Sequence, residues 1–169
     1  MVQLIKNDTL ASDIWTFLEL AEGETPESIA LPAGPTVFPL AVWLVRRDEI
    51  VARAQPLGLL LQPADRVEDV AADVSRFALI AVNFPKFVDG RGYSTASLLR
   101  QRYGYTGELR AVGDVLHDQL FYMRRVGFDS FALKDGKNAP LAIAASFATF
   151  SDAYQGSTRQ PQPHFRRHA

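Results

Sequence analysis

Between Asn83 and Thr95 the chain gathers Lys86, Asp89 and Arg91 around two glycines, Gly90 and Gly92, and then reaches Ser94. Glycines let backbone N–H groups turn toward a ligand, and a helix opening at Ser94 would offer its positive dipole end to an anion. Lys86, Asp89, Arg91 and Ser94 therefore form a candidate cradle for an oxyanion or a phosphate. The same residues are explained without a ligand as well: Asp89-Gly90 is a common turn pair, Ser94 a common N-cap, and Lys86 and Arg91 can be solvated. The spacing matches neither a P-loop nor a dinucleotide fingerprint.

A second polar segment runs from Gly113 to Gln119 and carries Asp114, His117 and Asp118. Apart from His164 and His168 near the C-terminus, His117 is the only histidine, which makes it the candidate acid/base near neutral pH. Asp114 could orient that imidazole or hold a substrate group; equally, it could cap a helix whose first turn contains His117 and Asp118. Arg110, between Leu109 and Ala111, needs an edge position or a carboxylate, and Glu108 or Asp89 could supply one. Phe121, Tyr122, Val126 and Phe128 have the spacing of a core face.

Both polar segments must be held by regular elements. Leu57–Leu61, Ala78–Val82, Leu109–Val112 and Phe128–Leu133 are short apolar runs, and they alternate with helical patterns over Val67–Phe77, Ser94–Tyr103 and Val115–Val126. That alternation predicts an α/β fold of about four parallel βα units, as an open sheet or a half-barrel, with the two polar segments side by side at the C-terminal strand ends. A half-barrel would leave apolar edge strands exposed and so predicts a homodimer, which an open sheet does not require. Asp65, Ser94 and Asp114 are the expected helix caps, and Gly104 and Gly127 the expected left-handed stops. Upstream, Val2–Lys6 and Ile14–Leu20 read as an N-terminal hairpin, and residues 40–54 as a helix. A last helix is expected over Pro140–Phe150. The expected domain is residues 1–155, with 156–169 a flexible tail.

With 47% hydrophobic and 22% charged residues, the chain has the composition of a folded globular protein. Its formal net charge of -1 provides no global field for nucleic acid or an anionic membrane. There is no cysteine, which removes disulfides, thiolate metal sites and cysteine nucleophiles together. No signal-peptide pattern opens the sequence and no apolar run is long enough to span a bilayer, so the expected location is the cytoplasm.

The runs Phe84-Pro85-Lys86-Phe87-Val88-Asp89-Gly90-Arg91-Gly92-Tyr93-Ser94, Leu98-Leu99-Arg100, Gly107-Glu108-Leu109-Arg110-Ala111-Val112-Gly113-Asp114-Val115, Asp118-Gln119 and Arg124-Arg125-Val126-Gly127-Phe128-Asp129 carry a resemblance. With Phe147, Phe150 and Tyr154-Gln155, they resemble the bacterial domain of unknown function family 934 over residues 38–155. The resemblance implies an oxidoreductase or an accessory protein of assimilatory sulfite reduction, with a sulfite or nitrite reductase subunit as partner. It brings no catalytic residues, because the family has none established. Redox chemistry would need a borrowed cofactor, whose identity stays open. One departure is Ser94-Thr95-Ala96-Ser97, where a basic residue is expected near Ser97; it weakens any role that needs positive charge on that helix. The residues themselves leave two alternatives: a non-redox enzyme acting on a small phosphorylated or carboxylated metabolite, with His117 as acid/base and Lys86 or Arg91 as clamp, or a non-catalytic binding module.

Overall fold

A computed structural model describes residues 3–133, 143, 146–147, 150 and 152–167. Strands β1 (Gln3–Lys6) and β2 (Thr9–Ala11) form an antiparallel hairpin through Asn7 and Asp8, whose φ angles of 48° and 64° are those of a type I′ turn. The expected hairpin partner, Ile14–Leu20, is pre-empted because this two-residue turn returns the chain at once. That run supplies instead β3 (Thr16–Phe17), which lies at the opposite edge of the sheet.

Strand β3 runs parallel to β4 (Thr36–Pro39), β5 (Leu57–Leu61), β6 (Leu79–Phe84), β7 (Glu108–Gly113) and β8 (Ser130–Leu133). The order across the eight-stranded sheet is β2-β1-β8-β7-β6-β5-β4-β3. From β3 to β8 it never reverses, so there is no switch point of the doubly wound kind; the sheet is a curled half-barrel. Four crossovers join β4 to β8, and β3 adds a further parallel strand, so the architecture departs in detail from four simple βα units. Helix α1 (Leu40–Ala52), helix α2 (Arg91–Ser97, prolonged by a π-helical turn over Leu98–Arg102) and helix α3 (Leu120–Val126) provide three of these crossovers.

Between β5 and β6 the expected helix is two 3-10 turns, Val67–Val70 and Val74–Arg76. Its apolar face persists, with Val67, Val70, Val74 and Phe77 all buried. Regular helix breaks at Asp73, whose carboxylate is drawn inward to bind Arg47 at 2.5 Å and Arg76 at 3.0 Å. The last expected helix, Pro140–Phe150, lies largely outside the described residues.

Strand alternation sorts the side chains onto two faces. Phe38, Leu59, Leu61, Ile80, Val82, Phe84, Leu109, Ala111 and Phe131 pack with the helices in one large core. Val37, Leu79 and Ala81 form a separate inner cluster with Trp15, Phe17, Leu60 and Val112, and among the described residues no helix packs against it.

The link from β2 to β3 lies across this inner face. Seven strand spacings separate the two edge strands, about 34 Å if the sheet were flat. The chain from Ala11 to Thr16 reaches at most about 18 Å, so the sheet must curl until its edges approach. Two contacts fasten the crossing. Trp15 lies over Gly58, where an added Cβ would come within 3.2 Å of the indole. Asp13 accepts a hydrogen bond from Arg110 Nη1 at 2.8 Å.

Arg110 is 1% exposed. Its Nε and Nη2 donate to Glu108 Oε1 at 3.1 and 2.8 Å, Ser130 donates to the same oxygen at 2.7 Å, and Lys6 donates to Glu108 Oε2 at 2.5 Å. Glu108 is thus the partner foreseen for Arg110, joined by Asp13; Asp89 plays no part. Burial raises the Glu108 pKa, but hydrogen bonds from Lys6, Ser130 and Arg110 outweigh it and hold the group below its ordinary 4.5.

Arg110→Ala, which takes the buried guanidinium away from Glu108 and Asp13, should cost about 3–5 kcal/mol in urea unfolding. Because the folded pKa of Glu108 is depressed, its contribution is complete above its ordinary 4.5 and is lost as the pH falls through the folded value. Acid unfolding curves should therefore be shallower for Glu108→Gln than for the parent protein.

Candidate functional site

The two polar segments leave the sheet together, since β6 and β7 are adjacent and the Asp114 N–H donates to the Phe84 carbonyl at 2.7 Å. Helix α2 presses onto β6 through Gly92, where an added Cβ would lie 2.5 Å from the Phe84 ring. The loop between them is braced by its own charges. Asp89 accepts from the Arg91 backbone N–H at 3.2 Å, from Arg91 Nε at 3.0 Å and from Nη2 at 2.7 Å. These bonds hold the Asp89 carboxyl below its usual range and occupy the guanidinium fork. Lys86 is exposed and has no ion pair among the described residues.

The expected caps are not caps. Helix α2 begins at Arg91 after Gly90, and Ser94 lies inside it with its side chain exposed. Ahead of α3, the 3-10 turn His117–Gln119 begins after Leu116, and Gln119 Oε1 accepts the Leu116 N–H at 3.0 Å. Asp65 turns back and accepts the N–H of Gln62, three residues before it, at 2.7 Å. Gly104 and Gly127 do take positive φ, 63° and 121°.

His117 opens onto a different space from Lys86, Asp89, Arg91 and Asp114. It borders a cavity of about 930 Å³ on the helix side, lined by α2 with its π turn, α3, Phe150 and residues 152–158; Ser97, Gln101, Tyr122, Arg125 and Ser157 share the lining. A neighbouring groove of about 630 Å³ continues it past Tyr93 and Ser94. Of the candidates drawn from the sequence, Ser94 and His117 thus border this connected space, and the other four border neither part. Tyr122, expected in the core, is 55% exposed and lines both parts. Burial pushes the Tyr93 hydroxyl up, partly offset by its hydrogen bond with Gln119.

Arg125 has no carboxylate partner among the described residues; its Nη2 donates to the Gln155 carbonyl at 2.7 Å. The adjacent Arg124 pairs with Asp8 at 2.7 Å. The facing segment is tied to the helices: Thr158 donates its N–H to the Arg125 carbonyl at 3.1 Å and accepts from Gln101 at 3.1 Å. Asp152, on the same wall, is engaged by Arg167 at 2.6 Å and His164 at 3.1 Å. Sequence reasoning missed Arg125, Ser97, Gln101 and Ser157. The one available signal was the doubled Arg124-Arg125, which a helical end explains equally well.

On the inner face, a second hollow of about 760 Å³ opens at the C-terminal strand ends between Phe17, Leu18, Leu20, Leu60 and Val112, with Asp13 and Glu19 in its wall. At its rim Asn83 Nδ2 donates to Gln62 Oε1 at 2.7 Å. Two further motif segments prove to be structural. Arg100 donates to the carbonyls of Gly127 at 2.9 Å, Tyr105 at 2.6 Å and Gly107 at 2.9 Å, and also binds Asp129, whose Oδ2 accepts the Leu109 N–H at 3.1 Å.

Among the described residues no cluster of histidine, aspartate and glutamate is arranged to hold a metal ion, and no helix is long and apolar enough to cross a membrane. The molecule is a half-barrel α/β protein with ligand-sized hollows on both faces of its sheet. The chain belongs to the family of bacterial proteins of unknown function DUF934, whose model matches residues 58–165, from β5 to the last helical turn, His164–Arg167. No curated protein matches it.

Arg100→Met, which takes the guanidinium away from Asp129 and from three carbonyls, should lower stability by roughly 3 kcal/mol in urea unfolding. Arg100→Lys should recover little of the loss, because an ammonium cannot reproduce the planar fork.

Proposed function

We propose that this chain is an accessory protein of assimilatory sulfite reduction that binds a small anion in the helix-side cavity. One observation carries the reading: Arg125 lines that cavity, half-buried and without a carboxylate partner among the described residues. A partly desolvated guanidinium favours an anionic partner, and Ser97, Gln101, Ser157 and Thr158 add neutral hydrogen-bonding groups around it. The acidic Asp152 of the same wall is offset by Arg167. The pathway comes from the family resemblance, and with it the expected partner, a sulfite or nitrite reductase subunit. Having no cysteine, the chain has no thiol of its own to carry electrons, which favours binding over redox turnover.

The anion expected at Lys86, Asp89, Arg91, Ser94 and Asp114 is less well supported, because Arg91 is already satisfied by Asp89. A second reading, a non-redox enzyme, is favoured by the presence of His117 and Asp118 in the cavity of Arg125. There His117 would serve as acid/base and Arg125 as the clamp on a phosphate or carboxylate.

Thermal shifts with sulfite, sulfate and phosphate test the site. An anion at a hundred times its Kd should add about 2.7 kcal/mol, a rise of roughly 5–10 °C for a chain of this size. Arg125→Met should abolish the shift, and Lys86→Ala with Arg91→Ala should leave it. The opposite pattern would move the site to the loop, and no shift with any anion would overturn the reading. Flavin fluorescence or colour in the purified protein would favour an oxidoreductase instead. Co-purification with a reductase subunit tests the partner.

A further inference from the structure

The C-terminal rim of the half-barrel carries an apolar projection beside an apolar hollow. Phe87 and Val88, at the crest of the loop between β6 and α2, are 48% and 83% exposed. The crest is held in shape from below, by the Asp89–Arg91 pair and by the Asp89 N–H, which donates to the Lys86 carbonyl at 3.0 Å. A loop whose backbone is already hydrogen-bonded has less conformational entropy to lose on docking. Lys86, next to the crest, is exposed and has no ion pair among the described residues.

The hollow is the one on the inner face, with Phe17, Leu18, Leu20, Leu60 and Val112 in its wall. Among the described residues its charged lining is acidic, Asp13 and Glu19, with no lysine or arginine. Asp13 is spent on Arg110, whereas Glu19 is exposed and has no ion pair among the described residues. Crest and hollow are near neighbours, since Asn83 on the hollow's rim ends the same strand from which the crest loop leaves. A projection and a receptor of opposite charge on one rim of one chain are the requirement for an isologous two-fold contact, in which each copy gives and receives the same insertion. The partly exposed apolar wall of the hollow, Phe17, Leu20, Leu60 and Val112, provides the driving force.

We propose that two copies of this chain associate rim to rim about a two-fold axis, the Phe87–Val88 crest of each entering the inner-face hollow of the other and Lys86 of one copy meeting Glu19 of the other. The contact lies on the opposite face of the sheet from the anion cavity and is independent of it.

The cysteine-free chain allows a direct test. Val88→Cys and Leu60→Cys proteins, made separately and mixed under oxidising conditions, should give a covalent dimer that neither gives alone. By light scattering the parent protein should have twice the mass of its 18.7 kDa chain, and Phe87→Asp with Val88→Asp should be a monomer with an unchanged circular dichroism spectrum. Lys86→Glu should weaken the dimer at least about tenfold, the effect of a like-charge contact, and adding Glu19→Lys should restore it. A parent protein that stays monomeric at high micromolar concentration would overturn the proposal. So would a dimer that is indifferent to the Phe87 and Val88 changes, or a mixture that forms no mixed disulfide.

Discussion

The short link between β2 and β3 is the constraint on which the rest of the molecule depends. Its ends belong to opposite edges of an eight-stranded sheet, and its few residues cannot bridge a flat sheet of that width. Curling follows from chain length alone. Once the sheet is curled, the inner face becomes a concave surface and the crossovers are left on the outside, where they build the main core. The link also acts as a floor: Trp15 rests over Gly58 and Asp13 reaches Arg110, so the inner face is filled toward the N-terminal ends of the strands and hollow toward their C-terminal ends.

Arg110 shows how a charge is tolerated there. A guanidinium almost wholly removed from water requires full hydrogen bonding as well as opposite charge. Glu108 provides a two-pronged partner from the same strand, Asp13 comes from the link, and Ser130 and Lys6 complete the environment of the Glu108 carboxylate. The buried polar cluster therefore records which strands are neighbours, and it makes the register of β7 against β8 and the seating of the link interdependent.

The helix side follows a different logic. Arg100 ties the π turn of α2 to the ends of the segments that flank β7 and β8, and the C-terminal segment is bonded back onto α3. Between these fastened pieces lies the cavity of His117 and Arg125. In the conspicuous loop of β6, Asp89 and Arg91 satisfy each other, whereas Arg125, which no motif marks out, lines a cavity and pairs with no carboxylate among the described residues.

By itself the sequence determined the α/β class, the positions of β5, β6, β7 and β8 to within about two residues, the need of Arg110 for an edge position or a carboxylate such as Glu108 or Asp89, and the adjacency of the two polar segments. Each of these is set by local apolar runs, by strand alternation, or by the cost of an unpartnered charge. The positive φ at Gly104 and Gly127 was legible for the same reason, because it is a local backbone requirement. Only the tertiary structure decided between open sheet and half-barrel, since that choice depends on where β3 pairs, and Ile14–Leu20 suits either edge equally well. It also decided that Ser94 and Asp114 do not cap helices and that Tyr122 faces a cavity and not the core. Nor could the sequence have separated His117 from Lys86, Asp89, Arg91 and Asp114: neighbouring loops share a strand end, but the face onto which each side chain opens is fixed by the packing of α2 and α3 against each other.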